Sequence, residues 1–127
     1  MSGSILVDTD ILIDFLRGHK KAIRFIDEFS SQIILSPIVV AELYAGVKET
    51  DELSVLEDFL SHFEVVPLTA EIAKLGALYK RDFGKSHGVG LADAILAATA
   101  KVEKAELKTL NVKHYPMFSG LKRTYKK

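Results

Sequence analysis

Short aliphatic runs alternate along the chain with longer stretches in which apolar residues recur every three or four positions. Short apolar runs are typical of buried strands, and the longer repeat is typical of helices. The predicted strands are residues 4–8, 33–35, 64–66 and 107–110. The predicted helices are residues 9–17, 20–29, 37–47, 51–63, a long segment that begins after Thr69, and 91–104. The segment GKSHGVG, residues 84–90, is predicted to be the most loop-like part of the chain.

Two helix starts carry clear local signals. Ser36 precedes Pro37, which suits an N-cap followed by proline at the first helical position. Thr69 precedes Glu71, an acid in the first turn of the long helix. Strands separated by helices favour parallel pairing with helices on both faces of the sheet. The sequence therefore predicts an α/β fold, a three-layer α/β/α sandwich with a central, mostly parallel sheet.

Composition narrows the class of protein. The 127 residues, 48% of them hydrophobic, favour one globular domain over residues 1–127. The absence of cysteine excludes a disulfide framework and thiolate metal sites. No apolar segment approaches the roughly 20 residues of a membrane helix, and the chain shows no basic n-region leading into an apolar signal core, so we expect a cytoplasmic protein without membrane association. The Ser2-Gly3-Ser4 start is either a natural flexible segment or a cloning remnant.

The net charge of zero conceals an asymmetry along the chain. Residues 101–127 contain eight Lys or Arg and two Glu, a net of +6, whereas the preceding 100 residues carry a net of −6. The basic tail, about residues 119–127, either attracts nucleic acid or simply forms a solvated end.

Isolated carboxylates stand in three windows that lack Lys and Arg. The acids are Asp8, Asp10 and Asp14 in residues 1–16, Glu42 in residues 31–47, and Asp93 in residues 86–100. A buried carboxylate becomes neutral, finds a cation or binds a metal. Each acid also has a structural explanation: Asp93 suits a helix N-terminus, Glu42 suits a solvent edge, and Asp14 suits an exposed helical stripe.

Three of these acids are predicted to converge. Asp8 ends the first strand, Glu42 lies on the helix after the second strand, and Asp93 opens the last long helix, so all three point to the carboxyl edge of the sheet. Oxygen ligands favour Mg²⁺ or Mn²⁺, and a site for either ion suits phosphodiester hydrolysis. Zinc is disfavoured because cysteine is absent and the four histidines, at positions 19, 62, 87 and 114, lack paired spacing.

Four segments together carry a family resemblance. They are ILVDTDILIDFL (residues 5–16), SPIVVAELYAGV (36–47), GVGLADAILAATA (88–100) and KTLNVKHYPMF (108–118). In their order and spacing the chain resembles a PIN domain, and within that superfamily it is similar to the VapC-type toxin ribonucleases of prokaryotic toxin–antitoxin pairs. The resemblance implies a PIN fold, metal-dependent endoribonuclease activity, homodimers, and neutralisation by a VapB-like antitoxin whose C-terminal segment occupies the active groove.

The resemblance also implies roles for individual residues. Asp8, Glu42 and Asp93 match the acidic metal ligands, and Thr9 matches the hydroxyl residue after the first acid. Asp10 stands where the family often has Asn or Ser, so no role is carried onto it. The fourth acid that PIN proteins often have near the last strand is replaced here by Asn111 and His114. We therefore expect one Mg²⁺ rather than two.

The two residues at the fourth-acid positions receive different expectations. Asn111 is expected to support the metal through water or another ligand. His114 either touches the scissile phosphate or packs as a surface histidine.

Two other functions fit parts of the sequence. The DTD segment suits a haloacid-dehalogenase-like phosphatase with Asp8 as nucleophile and Asp10 as acid/base, although the later acids do not match that pattern. The missing fourth acid suits a degenerate PIN domain that binds RNA or antitoxin without cutting. A receiver-like domain is disfavoured because no matching lysine follows the last strand.

Basic residues that could contact RNA phosphates are only weak candidates, because phosphate contacts position RNA without reading its sequence. They are Arg17, Lys80, Arg81, Lys85 and the basic tail. Single-stranded or loop RNA is the expected target of selective cutting. Apolar faces on the first helices and on residues 51–63 suit dimerisation, antitoxin docking or the core.

Overall fold

The computed structural model describes residues 3–127, so Met1 and Ser2 of the N-terminal start lie outside the described residues. Its strands are β1 (Ile5–Val7), β2 (Ile33–Leu35), β3 (Glu64–Val65) and β4 (Glu106–Lys108). Its α-helices are α1 (Thr9–Leu16), α2 (Lys20–Phe29), α3 (Pro37–Ala45), α4 (Thr50–Leu60), α5 (Ala70–His87) and α6 (Leu91–Glu103). Short 3₁₀ turns cover Ser30–Gln32 and Val112–His114.

The four strands form one parallel sheet in the order β3-β2-β1-β4. Val7 pairs with Lys108, and the backbone N–H of Asp8 donates to the carbonyl of Lys108 over 2.9 Å. Asp8 and Thr109 therefore emerge side by side at the carboxyl edge, each directly after its strand. Together with the flanking helices this confirms the predicted α/β fold with a parallel sheet.

The two central strands, β1 and β2, lie in the core: all their residues are buried, and each strand has a neighbour on either side. The alanine-rich helix α6 lies against α5 at very short range. A Cβ added at Gly76 of α5 would stand 2.9 Å from Cγ1 of Ile95. This approach explains the glycine at position 76 of α5, since a larger side chain there would force the two helices apart.

Both predicted helix starts are confirmed. The Ser36 hydroxyl accepts a hydrogen bond from the backbone of Ile38, and the Thr69 hydroxyl accepts one from Ile72.

The predicted loop over residues 84–90 is wrong in its first half, because α5 continues to His87 and ends at Gly88 in the left-handed conformation (φ 66°). Lys85 and His87 in the last turn suit a helix C-terminus, which favours continuation of the helix there. The last strand is also shorter than predicted, because Thr109 and Leu110 have left the ladder and bind the Asp10 carboxylate instead.

The basic tail packs against α1 rather than extending from the domain. The Tyr125 hydroxyl donates to Oδ2 of Asp14 over 2.7 Å, and Nζ of Lys127 lies 2.9 Å from Oδ1. Asp14 is only 5% exposed, so the expectation that it faces water is wrong: the tail covers this side chain and supplies its partners. Burial alone would raise the pKa of Asp14, but Lys127 and Tyr125 outweigh burial and lower it.

No helix between residues 3 and 127 combines the length and the apolar character that a membrane span requires.

Candidate active site

Asp8 is held at the junction of β1 and α1 by three hydrogen bonds. As N-cap of α1 it accepts at Oδ1 from the backbone N–H of Thr9 over 2.7 Å. Its Oδ2 accepts from the hydroxyls of Thr109 (2.8 Å) and Tyr115 (2.7 Å). Asp8 is 7% exposed. A carboxylate has about four acceptor positions, so these three donors fix its orientation and leave capacity for a further ligand.

Glu42 reaches the same edge from α3. The other side of that helix is fixed by buried Val39 and Leu43, while Glu42 is exposed. The Thr9 hydroxyl donates to Oε1 of Glu42 over 2.6 Å. Because Thr9 directly follows Asp8, its bond to Glu42 keeps the Glu42 carboxylate close to Asp8.

Asp93 lies in the first turn of α6 and meets two consecutive residues of the chain after β4. Its Oδ1 lies 3.3 Å from the Tyr115 hydroxyl, and its Oδ2 lies 3.1 Å from Nδ1 of His114. Because Tyr115 also binds Asp8, one side chain touches two of the three predicted acids.

Asp10 ties α1 to the residues that follow β4. Its Oδ2 accepts from the backbone of Leu110 (2.9 Å) and from the side-chain amide of Asn111 (3.0 Å). Its Oδ1 accepts from the backbone of Ile11 over 2.8 Å. Asn111 is therefore attached to the site through Asp10.

Electrostatic coupling joins the acids. Burial and then the charge of Asp8 raise the pKa of Asp10 to about 6, against the opposing effect of its hydrogen bonds. Burial and then Asp8 also raise the pKa of Asp93, with a further contribution from Glu42. Burial and the charge of Asp8 raise the pKa of Tyr115, so its hydroxyl stays protonated and remains a donor. The carboxylates destabilise one another's charged forms, and such a set favours a cation.

The composition of the site fits a hard divalent cation. Among the ion pairs within residues 3–127, none joins Lys or Arg to Asp8, Glu42 or Asp93. Over the same residues, the side chains do not form a group of three or more acids or histidines close enough to hold a metal as they stand. The donors are nonetheless all oxygen. Mg²⁺ commonly binds through one or two carboxylates and retained waters rather than inside a complete protein cage, and that requirement matches this set.

The basic residues predicted to touch RNA are dispersed. Arg17 shares a groove of about 550 Å³ with Glu42. The other three lie on α5: Lys80 donates to the carbonyl of Val89 over 2.8 Å, Arg81 pairs with Asp82 over 2.8 Å, and Lys85 is exposed. Arg17 is therefore the one of the four that the structure places in a groove beside a predicted acid.

Thr109 and Tyr115 were not singled out from the sequence, although both belong to the KTLNVKHYPMF segment. Thr109 could have been found from strand register, because it follows β4 as Asp8 follows β1. Tyr115 had no such signal, since its approach to Asp8 depends on the path of the chain after β4.

Comparisons with known proteins find similar chains over nearly the whole length of this one. The family model described as PIN domain matches residues 5–115. The chain is 40% identical over 124 residues to Ribonuclease VapC19 of Mycobacterium tuberculosis, covering 94% of this chain and 98% of the relative. It is 38% identical to Ribonuclease VapC10 of the same organism, covering 93% and 90%. A toxin–antitoxin complex from Klebsiella pneumoniae contains a similar chain, with a TM-score of 0.84, 28% identity, and coverage of 98% and 100%.

Proposed function

The chain belongs to the PIN domain family, and we propose that it is a metal-dependent endoribonuclease that acts as the toxin of a type II toxin–antitoxin pair. Its match to proteins named Ribonuclease VapC over nearly its whole length supports the ribonuclease activity. The same match favours a nuclease over the phosphatase with Asp8 as nucleophile. We treat residues 1–127 as one PIN domain whose tail, about residues 119–127, is part of it.

One observation carries the assignment of the site: two hydroxyls interlink the three acids of the family-like segments. Thr9 binds Glu42, and Tyr115 touches both Asp8 and Asp93. Acids that are far apart in the sequence thus lie around the carboxyl edge of a parallel sheet, which is where ligands bind in such folds. We propose Asp8, Glu42 and Asp93 as the metal-binding and catalytic acids.

When bound, Mg²⁺ or Mn²⁺ supplies a water of lowered pKa and offsets negative charge on the reacting phosphate. The protein's own residues provide orientation. The hydroxyls of Thr109 and Tyr115 hold Oδ2 of Asp8, and Thr9 holds Oε1 of Glu42. Asp10 and Asn111 support the site by joining α1 to the segment after β4. The 3.1 Å distance from Nδ1 of His114 to Oδ2 of Asp93 supports a role for His114 as a hydrogen-bond donor, either to Asp93 or to the scissile phosphate of a bound RNA.

RNA cleavage with and without metal tests this proposal. Purified protein, freed of antitoxin, is incubated with a mixed RNA pool in Mg²⁺, in Mn²⁺ and in EDTA. We expect cleavage in either metal, none in EDTA, and a loss of at least about a hundredfold in Asp93→Asn, because a ligand amide cannot replace the carboxylate charge. Asp27→Asn is the matched control, since Asp27 is an exposed acid on α2.

Two results would contradict the proposal in different ways. Cleavage that persists in EDTA would remove the metal from the mechanism. Well-folded protein that cuts no RNA with either metal would indicate the degenerate PIN domain that binds without cutting.

We propose a VapB-like antitoxin as the partner, supported by the resemblance to a chain of the Klebsiella toxin–antitoxin complex. The groove shared by Arg17 and Glu42 is also lined by apolar residues of α1, α3 and α4, among them Leu16, Leu43 and Val55. An extended or helical segment with apolar side chains suits this lining. A homodimer and a cytoplasmic location complete the proposal.

A further inference from the structure

Tyr115 combines a core position with a polar contact that packing does not require. It is 1% exposed, and its ring belongs to the main hydrophobic cluster. A buried hydroxyl is costly unless it is hydrogen-bonded. Here the partners of the hydroxyl are Oδ2 of Asp8 at 2.7 Å and Oδ1 of Asp93 at 3.3 Å. Phenylalanine would fill the same space, so the hydroxyl needs an explanation of its own.

The backbone around Tyr115 fixes where the side chain points. Its N–H donates to the carbonyl of Val112 over 3.1 Å, and its own carbonyl accepts from Phe118 over 3.1 Å. The neighbouring His114 touches the opposite oxygen of Asp93. The side chains of two consecutive residues in this turn, His114 and Tyr115, therefore both contact Asp93. The Tyr115 hydroxyl also contacts Asp8.

The hydroxyl carries one proton, and the shorter contact assigns that proton to Asp8. Thr109 binds the same Oδ2 atom from the other strand end. Rotation of the Asp8 carboxylate would break both contacts as well as the bond from the Thr9 backbone to Oδ1. Outer partners of this kind commonly change metal affinity or activity by about 10- to 100-fold when removed.

We propose that Tyr115 is a positioning residue, whose hydroxyl donates to Asp8 and holds its carboxylate in the orientation, beside Asp93, that receives the metal ion. The inference rests on the proposed function and deepens it. It assigns Tyr115 no contact with RNA. A lost hydroxyl should therefore weaken metal binding and leave RNA affinity unchanged.

Tyr115→Phe tests the proposal by titration calorimetry with MnCl₂ and by RNA cleavage over a range of Mn²⁺ concentrations. We expect the Kd for Mn²⁺ to rise by about tenfold or more. Cleavage should fall at low Mn²⁺ and recover toward the wild-type rate at saturating Mn²⁺, with an unchanged KM for RNA. A residue that only packs predicts no change in any of these values, since phenylalanine keeps the ring.

Tyr125→Phe is the matched control. It removes a tyrosine hydroxyl from a carboxylate over the same 2.7 Å distance, but the acid is Asp14 under the C-terminal tail. This variant should lose stability and keep the wild-type Mn²⁺ affinity. Loss of Mn²⁺ affinity in both variants by the same factor would overturn the specific role of Tyr115.

Different results would overturn the role of Tyr115 and the proposed nuclease function. Wild-type Mn²⁺ affinity and cleavage in Tyr115→Phe overturn the positioning role and leave the nuclease intact. A wild-type protein that neither binds Mn²⁺ nor cuts RNA overturns the proposed function, and the inference with it.

If Tyr115→Phe does not fold, NMR of the wild type labelled with ¹³C at the tyrosine ζ carbon provides the test. Assignment follows from Tyr→Phe variants at the other three tyrosines, 44, 79 and 125. Added Mg²⁺ should shift the Tyr115 resonance more than that of Tyr125. A Tyr115 resonance that stays in place while Mg²⁺ binds would overturn the proposal.

Discussion

The Thr9 hydroxyl donates a 2.6 Å hydrogen bond to Oε1 of Glu42, which joins the first turn of α1 to the acid of α3. Glu42 is otherwise an exposed side chain on a short helix, with several rotamers open to it. The bond selects one of them. Thr9 follows Asp8 directly, so the position of one acid sets the position of the other.

Removal of this hydroxyl should reduce cleavage with little effect on folding. We expect Thr9→Val to lower the cleavage rate by about tenfold, the effect of one hydrogen bond to a charged group of about 1.5 kcal/mol. Thr9→Ser keeps the hydroxyl and should stay near the wild-type rate. Initial rates on one RNA substrate measure the difference. Equal rates in the valine and serine variants would show that Glu42 needs no such support.

Asp14 should contribute to stability through the docked tail. Asp14→Ala leaves the Tyr125 hydroxyl without its acceptor and Lys127 without its ion pair, so we expect a loss of about 2 kcal/mol in the free energy of unfolding. Urea unfolding at pH 7 measures it, and Asp27→Ala on exposed α2 is the control. Equal stability of the two variants would mean that the tail is not held by Asp14.

The contribution of Asp14 has a defined pH range. Its pKa is lowered in the folded state, so the stabilisation is present above the ordinary value of 3.8 and disappears as the pH falls through the lower folded value. The difference between wild type and Asp14→Ala should therefore shrink in acid. A difference that grows between pH 5 and pH 3 would contradict the assignment.

Asp10 and Asp93 should affect the pH dependence of stability in the opposite direction to Asp14. The pKa of Asp10 is raised to about 6 and that of Asp93 is also raised, so the folded state binds protons more tightly than the unfolded chain. In EDTA, stability should fall as the pH rises from about 4 through 6, by on the order of 2 kcal/mol. Thermal unfolding at several pH values measures it. Added Mg²⁺ should restore the stability above pH 6, and no effect of Mg²⁺ there would count against a metal at this site.

Antitoxin binding should depend on the groove face of α4. Val55 is 63% exposed and lines the groove, so Val55→Asp should fold normally and weaken binding of a VapB-like antitoxin by at least about tenfold. Leu53 is exposed on the same helix but lies off the groove, which makes Leu53→Asp the matched control. Titration calorimetry with the purified antitoxin separates the two. If Leu53→Asp weakens antitoxin binding more than Val55→Asp does, the antitoxin docks on a different face of α4.

The sequence by itself determined the elements and the family. Strands β1 and β2 are continuous apolar runs, and the starts of α3 and α5 are marked by Ser36 and Thr69. These signals are local, because hydrogen-bonding side chains and apolar periodicity act within a few residues. The order of the four family-like segments was also enough to predict that Asp8, Glu42 and Asp93 belong together.

Only the tertiary structure decided how those acids are held and what covers Asp14. Tyr115 meets Asp8 across 107 positions, and Tyr125 meets Asp14 across 111. No periodicity encodes such contacts, because they depend on where the chain travels after β4. Helical spacing placed Asp14 on a solvent-facing stripe of α1. In the folded protein the C-terminal tail packs over that stripe and buries Asp14. Whether a side chain is exposed depends on what packs against it, and the spacing within one helix does not contain that information.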